Sequence, residues 1–399
     1  MNTQLDKIKA ILERGVITQV LPSKDDFIAA LTERKLRFYI GADPTSTALH
    51  LSHAKNYMLL EEFRQLGHEV IVLIGDFTAR IGDPSERSVA RKQLSREEVQ
   101  ANVASWLEQI KPLMDFEATE NPPQIKYNHD WLASLTMEDV VNLASNVTVQ
   151  QLLERDMFQK RVAEDKPIFL HEFMYPLMQG YDSVAMEVDV ELCGTDQIFN
   201  ALMGRTLLKK LKNKDKFVVA VNLMENPKTK ELMSKSRGTG IFLNFSAEDM
   251  FAGIMSQPDE MIRVFLVNNT RLPLSEIDAI MAAENPRDAK MRAALEVTQI
   301  FHGLASAQAA QAAFVQKFQK RETPDDLVSV ALGAESLSLL DILQQCLPSS
   351  SKGELKRLLI QGGVKLDQET QTAPDTIITI PENGLVLKAG KRQWFKLVR

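Results

Sequence analysis

Leu36-Arg37-Phe38-Tyr39-Ile40-Gly41-Ala42-Asp43-Pro44-Thr45, followed at a short distance by His50-Leu51-Ser52-His53, is the stretch on which the fold turns. Leu36 to Ala42 is a mostly apolar run with the look of a buried strand. Gly41 closes it, and a missing Cβ there lets a backbone approach a bulky anion. Asp43-Pro44-Thr45 is a turn. An amphipathic helical stretch then runs from Ala54 to Leu66. The two imidazoles therefore fall at a helix N-terminus, where free N–H groups and the helix dipole favour phosphate.

Working outward, further apolar runs have the character of buried parallel strands: Val70-Ile71-Val72-Leu73-Ile74 and Phe217-Val218-Val219-Ala220-Val221. Helical patterns such as Arg96 to Met114 lie between them. This alternation predicts an α/β catalytic domain over residues 1–245, a Rossmann-like doubly wound parallel sheet. Asn121-Pro122-Pro123 marks a boundary or insertion. Within an insertion at about 115–190, Thr136 to Val162 is helical and of mixed polarity, a candidate dimer surface. From Ser246 strand signals vanish. Ser246-Ala247-Glu248-Asp249 caps a helix, and an α-helical domain is expected over 246–325, including the Ala-rich Met291 to Phe318. Thr323-Pro324-Asp325 restarts the chain, and a small α+β domain is expected over 336–399.

The chain has 399 residues and a formal net charge of −6. That charge is uneven. Leu337 to Arg399 carries nine Lys and Arg against six Asp and Glu, a net +3, which leaves −9 for the rest. A basic tail on an acidic body suggests a polyanion-binding appendage. Two cysteines, Cys193 and Cys346, give neither a disulfide framework nor a metal cluster. Met1 to Glu13 is charged and helix-like, without an export core. No apolar run reaches membrane-spanning length. A cytoplasmic protein with no membrane segment is expected.

A second tetrad, Met233-Ser234-Lys235-Ser236, is a loop with one cation and two hydroxyls, suited to a polyphosphate. Together the two tetrads resemble the His-x-Gly-His and Lys-Met-Ser-Lys-Ser motifs of class I aminoacyl-tRNA synthetases. Ser52 stands where that family has Gly, and Leu232 replaces the first lysine of the loop motif. The resemblance implies ATP as substrate, with Mg²⁺ accompanying it and no protein metal cage. It implies catalytic roles for His50, His53, Thr45 and Lys235. ATP contacts would come from Gly41, Asp43, His50, His53, Gly194, Asp196, Met233, Ser234, Lys235 and Ser236, with Asp196 on the ribose.

Leu73-Ile74-Gly75-Asp76-Phe77-Thr78 and Ile81-Gly82-Asp83-Pro84 extend the resemblance to the bacterial tyrosyl-tRNA synthetases. Tyr175-Pro176-Leu177-Met178-Gln179-Gly180-Tyr181-Asp182 is the most discriminating segment. Spacings of four and three put Tyr175, Gln179 and Asp182 within about 60° on one helical face. Pro176 either starts or kinks that helix. In the family, Asp83, Tyr175 and Gln179 would hold the amino group of L-tyrosine, and Gln197 would lie near its carboxylate. Asp182 would accept the phenolic hydroxyl, with Tyr39 as the second hydroxyl partner. Cys193 is read as structural.

Ser349 to Val364 resembles the S4 RNA-binding module. The resemblance makes Lys352, Lys356, Arg357, Lys391 and Arg392 phosphate contacts for tRNA(Tyr), binding without reading sequence. A homodimeric tyrosine–tRNA ligase is the expectation. Rival readings are the tryptophanyl relative, which Asp182 and the S4-like tail oppose, a small-molecule nucleotidyltransferase, and an RNA-binding paralogue with a degraded ATP site.

Overall fold

The computed structural model describes residues 3–83, 94–233, 240–319, 327–333, 336–367, 369–381, 384–390 and 393–399. The chain divides into two compact units, Met1–Gln311 and Ala312–Arg399.

The first unit is built on six strands: β1 (Ile17–Leu21), β2 (Arg37–Ala42), β3 (Glu69–Ile74), β4 (Gln124–Tyr127), β5 (Val190–Gly194) and β6 (Phe217–Val221). Their spatial order is β1-β6-β5-β2-β3-β4. β2 to β6 run parallel, and β1 closes one edge antiparallel to β6. The apolar runs are buried on both faces, as parallel strands between helical layers must be. Phe38 of β2 stacks on Phe63 of the Leu51–Gln65 helix at 4.4 Å, and Phe27 meets both rings edge-on.

Three strands escaped the apolar pattern, each for a local reason. β1 is short and partly exposed. β4 is a half-buried edge strand. β5 carries a carboxylate, Glu191, inside an otherwise apolar run.

The chain leaves β2 toward β3 on one side, while β5 lies against β2 on the other. That reversal is where ligands bind in such sheets, beyond the carboxyl ends of the strands. Four helices frame it: Leu51–Gln65, Arg96–Ile110, Leu170–Met186 and Ile198–Lys212. The last two approach closely through glycines. A Cβ on Gly180 would lie 2.8 Å from Leu207 Cδ1 and 3.3 Å from the Gly204 nitrogen. Pro176 lies inside the Leu170–Met186 helix, not at its start.

Thr136 to Val162 forms three short helices, Met137–Ala144, Val149–Leu153 and most of Asp156–Ala163. Leu143 and Leu152 join the cluster around Leu177, Met203 and Leu207. Met137, Val141, Val149 and Val162 are exposed. Past Ser246, whose hydroxyl accepts the Asp249 N–H at 3.1 Å, the chain is helical through Gln319. The helix Pro286–Gln319 is broken at Gly303, where φ is 78° and ψ 160°. A residue with a Cβ rarely adopts that conformation, so an alanine-rich run alone does not reveal the break.

In the second unit strands appear from Val328, earlier than Leu337. They are β7 (Val328–Ala331), β8 (Ser336–Ser338), β9 (Val364–Leu366), β10 (Glu369–Gln371), β11 (Ile377–Thr379), β12 (Leu385–Ala389) and β13 (Gln393–Val398). Five form a sheet in the order β10-β9-β12-β13-β7, and β11 pairs with β8. The helices Leu339–Cys346 and Lys352–Ile360 pack on this framework through Leu339, Leu343, Leu355 and Leu359. Among the described residues no helix is long and apolar enough to cross a membrane.

Candidate active site

One cavity of about 1080 Å³ opens at the carboxyl ends of β2 and β5. Tyr39, Gly41, Asp43, Thr45, His50, His53, Asp83, Tyr175, Gln179, Asp182, Gly194, Asp196, Gln197 and Met233 all line it. These side chains come from six separate stretches of sequence. Ser234, Lys235 and Ser236 lie outside the described residues, as do 84–93, Lys391 and Arg392.

At one end sits the N-terminus of the Leu51–Gln65 helix. His50 is its N-cap and His53 its third residue. The His50 N–H donates to His53 Nδ1 at 3.2 Å, and the two rings lie 4.0 Å apart. The N-cap is anchored from outside as well, because the Leu51 N–H donates to the Ile241 carbonyl at 3.0 Å. Burial lowers the His50 pKa to about 4, with Lys55 adding to the effect. Burial also drives His53 well below its usual range, with His50 and Lys55 adding to the effect. Burial therefore holds both imidazoles in the neutral form at pH 7. His50 Nδ1 is buried without a hydrogen-bond partner among the described residues. An orphaned polar atom at a helix N-terminus suits an incoming phosphate.

The far end is a closed polar network. Asp182 is 3% exposed. Its carboxylate accepts from Trp131 Nε1 at 2.7 Å and from Asn128 Nδ2 at 3.3 Å. Burial raises its pKa well above the usual carboxyl value, against the opposing pull of those two donors. Asn128 Nδ2 also reaches Thr78 Oγ1 at 3.0 Å. Thr78 donates to Asp43 Oδ1 at 2.6 Å, and the Tyr175 hydroxyl donates to Asp43 Oδ2 at 2.9 Å. Asp43, expected on the nucleotide, thus also joins the amino-acid end. Gly75 makes this possible, since a Cβ there would collide with Asp43 Oδ1.

Between the ends, Gln197 Nε2 donates to Asp83 Oδ2 at 2.7 Å. Asn200 Nδ2 bridges Gln197 Oε1 at 2.9 Å and Gln179 Oε1 at 3.0 Å. Gln179 in turn donates to Glu191 Oε1 at 3.0 Å. Gly194 lets Asp196 fold back, because a Cβ would meet the Asp196 carboxylate. Gly41, by contrast, has only ordinary contacts about the Cβ position. Its smallness is not demanded by protein neighbours. Cys193 is buried and its thiol pKa is pushed up by burial, which makes it inert.

Sequence reasoning missed Lys55, Trp106, Asn128, Trp131 and Glu191. Trp131 was the accessible signal: it is one of three tryptophans in the chain, and it follows a four-residue strand. Lys55 lines the cavity with its Nζ 2.9 Å from Asn56 Oδ1. Burial lowers its pKa to about 7, opposed by Asp196.

The family model for class I tRNA synthetases of the W and Y type matches residues 31–319. The chain is 40% identical over 397 residues to the tyrosine–tRNA ligase of Moorella thermoacetica, covering 97% of this chain and 94% of that one. It is 41% identical over 394 residues to the tyrosine–tRNA ligase of Thermotoga maritima, covering 97% and 96%. In fold it is similar to a C-terminally truncated mitochondrial tyrosyl-tRNA synthetase of Aspergillus nidulans. The TM-score is 0.68 at 23% identity, over 80% of this chain and 95% of that one. With nearly the whole length matched and one cavity uniting His50, His53 and Met233 with the Asp182-bearing helix, this chain belongs to the tyrosine–tRNA ligase family of class I tRNA synthetases.

Proposed function

We infer that this chain activates L-tyrosine with ATP and then transfers the tyrosyl group to the 3′-terminal ribose of tRNA(Tyr). A single arrangement carries the reading: a buried, doubly hydrogen-bonded carboxylate at one end of the cavity, and two neutral imidazoles on a helix N-terminus at the other.

In the first step a carboxylate oxygen of tyrosine attacks the α-phosphorus of ATP. The O–P bond forms, the α–β bridge breaks, and pyrophosphate leaves with the electron pair. The nucleophile is already an anion, so no general base is needed, and catalysis is positioning plus charge stabilisation. His50 and His53 donate neutral N–H bonds to the crowded phosphorus centre's oxygens, supported by the helix dipole. Thr45, Lys235, Met233, Ser234 and Ser236 are assigned to the triphosphate by resemblance, and Asp196 to the ribose. Mg²⁺ would accompany ATP as its counter-ion, with no protein residue assigned to hold it. Among the described residues no cluster of three or more His, Cys, Asp or Glu is arranged to hold a metal.

Tyrosine would lie with its ammonium toward Tyr175, Gln179 and Asp83 and its hydroxyl toward Asp182 and Tyr39. A phenylalanine ring there would leave a desolvated carboxylate without its partner, which is costly. Tyrosyl-tRNA synthetases are the general example of rejecting phenylalanine in this way, without editing. In the second step a ribose hydroxyl of tRNA attacks the acyl carbon and AMP leaves. Lys352, Lys356 and Arg357, exposed on the Lys352–Ile360 helix, support a phosphate-binding role. The exposed apolar side chains Met137, Val141, Val149, Val162 and Leu170 support a homodimer through the inserted helices. A cytoplasmic location follows from the substrates.

Amino-acid-dependent pyrophosphate exchange tests the reading. Exchange with tyrosine, and not with tryptophan or phenylalanine, is expected. Exchange with tryptophan, or none with any amino acid, would overturn it.

A further inference from the structure

In the wall of the cavity, with Glu191 on its lining, lies a buried ion pair. Lys216, at the entry to β6, and Glu191, on β5, face each other with side-chain exposures of 0% and 2%. The Lys216 ammonium contacts Glu191 Oε2 and donates to Ser183 Oγ at 2.6 Å. Ser183 Oγ shares a hydrogen bond with the Tyr39 hydroxyl at 3.0 Å. The other Glu191 oxygen, Oε1, receives Gln179 Nε2 at 3.0 Å. The pair therefore reaches Tyr39 in one direction and Gln179 in the other.

Space for the ammonium is made by a glycine. A Cβ on Gly204 would lie 2.6 Å from Lys216 Nζ and 2.7 Å from Ser183 Oγ. The close approach of the Leu170–Met186 and Ile198–Lys212 helices thus leaves one opening, and the lysine fills it. Burying two charges gains little stability over apolar residues of the same size. What such a pair supplies is direction, because its hydrogen bonds are strong and fixed.

We propose that Lys216 and Glu191 are positioning residues that set the Tyr39 hydroxyl and the Gln179 amide at the two ends of the tyrosine pocket. The proposal rests on the tyrosine reading above. Lys216 donates to Ser183 Oγ, which also lies 3.5 Å from Glu191 Oε2 and shares one hydrogen bond with the Tyr39 hydroxyl, so the ion pair fixes the Tyr39 oxygen through Ser183. Glu191 turns the Gln179 amide so that its carbonyl oxygen, shared with Asn200, faces the ammonium side.

The test is pyrophosphate exchange with the full-length chain, reading tyrosine, phenylalanine and ATP separately. The wild type first has to exchange with tyrosine. If it does not, the functional reading fails and this proposal with it. Given exchange, the paired variant Lys216→Met/Glu191→Gln removes both charges together and leaves no lone buried ion. We expect its tyrosine KM to rise roughly tenfold and its preference for tyrosine over phenylalanine to fall by a similar factor, with ATP KM within about twofold. Ser183→Ala, which removes only a hydroxyl, should lower that preference by roughly threefold or more. Ser183→Ala should bring little further loss when Tyr39→Phe is already present, since Ser183 acts through the Tyr39 hydroxyl. Tyrosine KM and amino-acid preference both unchanged in folded Ser183→Ala and in the paired variant would overturn the proposal. So would equal losses for tyrosine and ATP, the mark of general damage. If the paired variant does not fold, Ser183→Ala and its Tyr39→Phe combination decide alone.

Discussion

Trp131 Nε1 points at Asp182 Oδ1 from 2.7 Å, so the carboxylate that faces the amino-acid end of the cavity is held by a ring nitrogen from a helix some fifty residues away in sequence. Asn128, three residues earlier, holds the second oxygen and ties it to Thr78 and Asp43. Recognition of the side chain and placement of the amino group are thereby one hydrogen-bonded frame.

Asp182→Asn keeps the shape of that frame and removes the charge. Tyrosine kcat/KM should fall by about one to two orders of magnitude, the equivalent of one charge-assisted hydrogen bond. Stability should move oppositely. The native carboxyl pKa lies above its ordinary 3.8, so the native state holds that proton more tightly than the unfolded chain. Wild-type stability therefore falls as pH rises above 3.8 until the native group ionises. Denaturant unfolding of both proteins should show Asp182→Asn gaining on the wild type over the pH range above about 4, by at most about 1.4 kcal/mol per pH unit while the native carboxyl keeps its proton. A constant gap across that range would refute the buried-charge account.

For the imidazoles the sign is reversed. His50, with a pKa of about 4, binds its proton less readily folded than unfolded. Its contribution is intact above pH 6.5 and is lost as pH falls through that value toward 4. His50→Gln should flatten acid destabilisation in this window by on the order of 2 kcal/mol. Nitrogen-15 histidine spectra of the ligand-free protein should show His50 and His53 neutral at pH 6. An imidazolium signal from either at that pH would contradict the geometry.

Gly75→Ala tests the turn after β3. The added methyl would strike Asp43 and lie 2.5 Å from Thr78 Oγ1. Thermal unfolding should report a cost of about 1–3 kcal/mol, the usual range for overpacking. Tyrosine KM should rise with it, because Asp43 carries the Tyr175 hydroxyl. A tyrosine KM unchanged in the folded variant would separate Asp43 from the amino-acid end.

Replacing Lys352, Lys356 and Arg357 together by alanine should leave pyrophosphate exchange intact and raise the tRNA KM by roughly tenfold or more. The salt dependence of charging should flatten by about one unit of slope for each phosphate that no longer meets a cation. Full charging at moderate salt by the triple variant would remove these side chains from the RNA surface.

Much of this molecule was written locally. Apolar runs at β2, β3 and β6 declare themselves because strands buried on both faces admit few polar residues. Ser246 announces a helix because its hydroxyl satisfies a free N–H. Tyr175, Gln179 and Asp182 share a face because helical geometry depends on spacing alone. Partnership is another matter. Nothing in the neighbours of Glu191 indicates a buried lysine across the sheet, nor that Gly204 clears the space for it. Likewise Asp43 meets Tyr175, and Trp131 meets Asp182, only after crossovers bring distant segments to one sheet edge. Burial, and with it the neutral state of the two histidines, is a property of packed volume. Residue identity determined which groups could ionise or donate; the tertiary structure decided which of them face one another out of water.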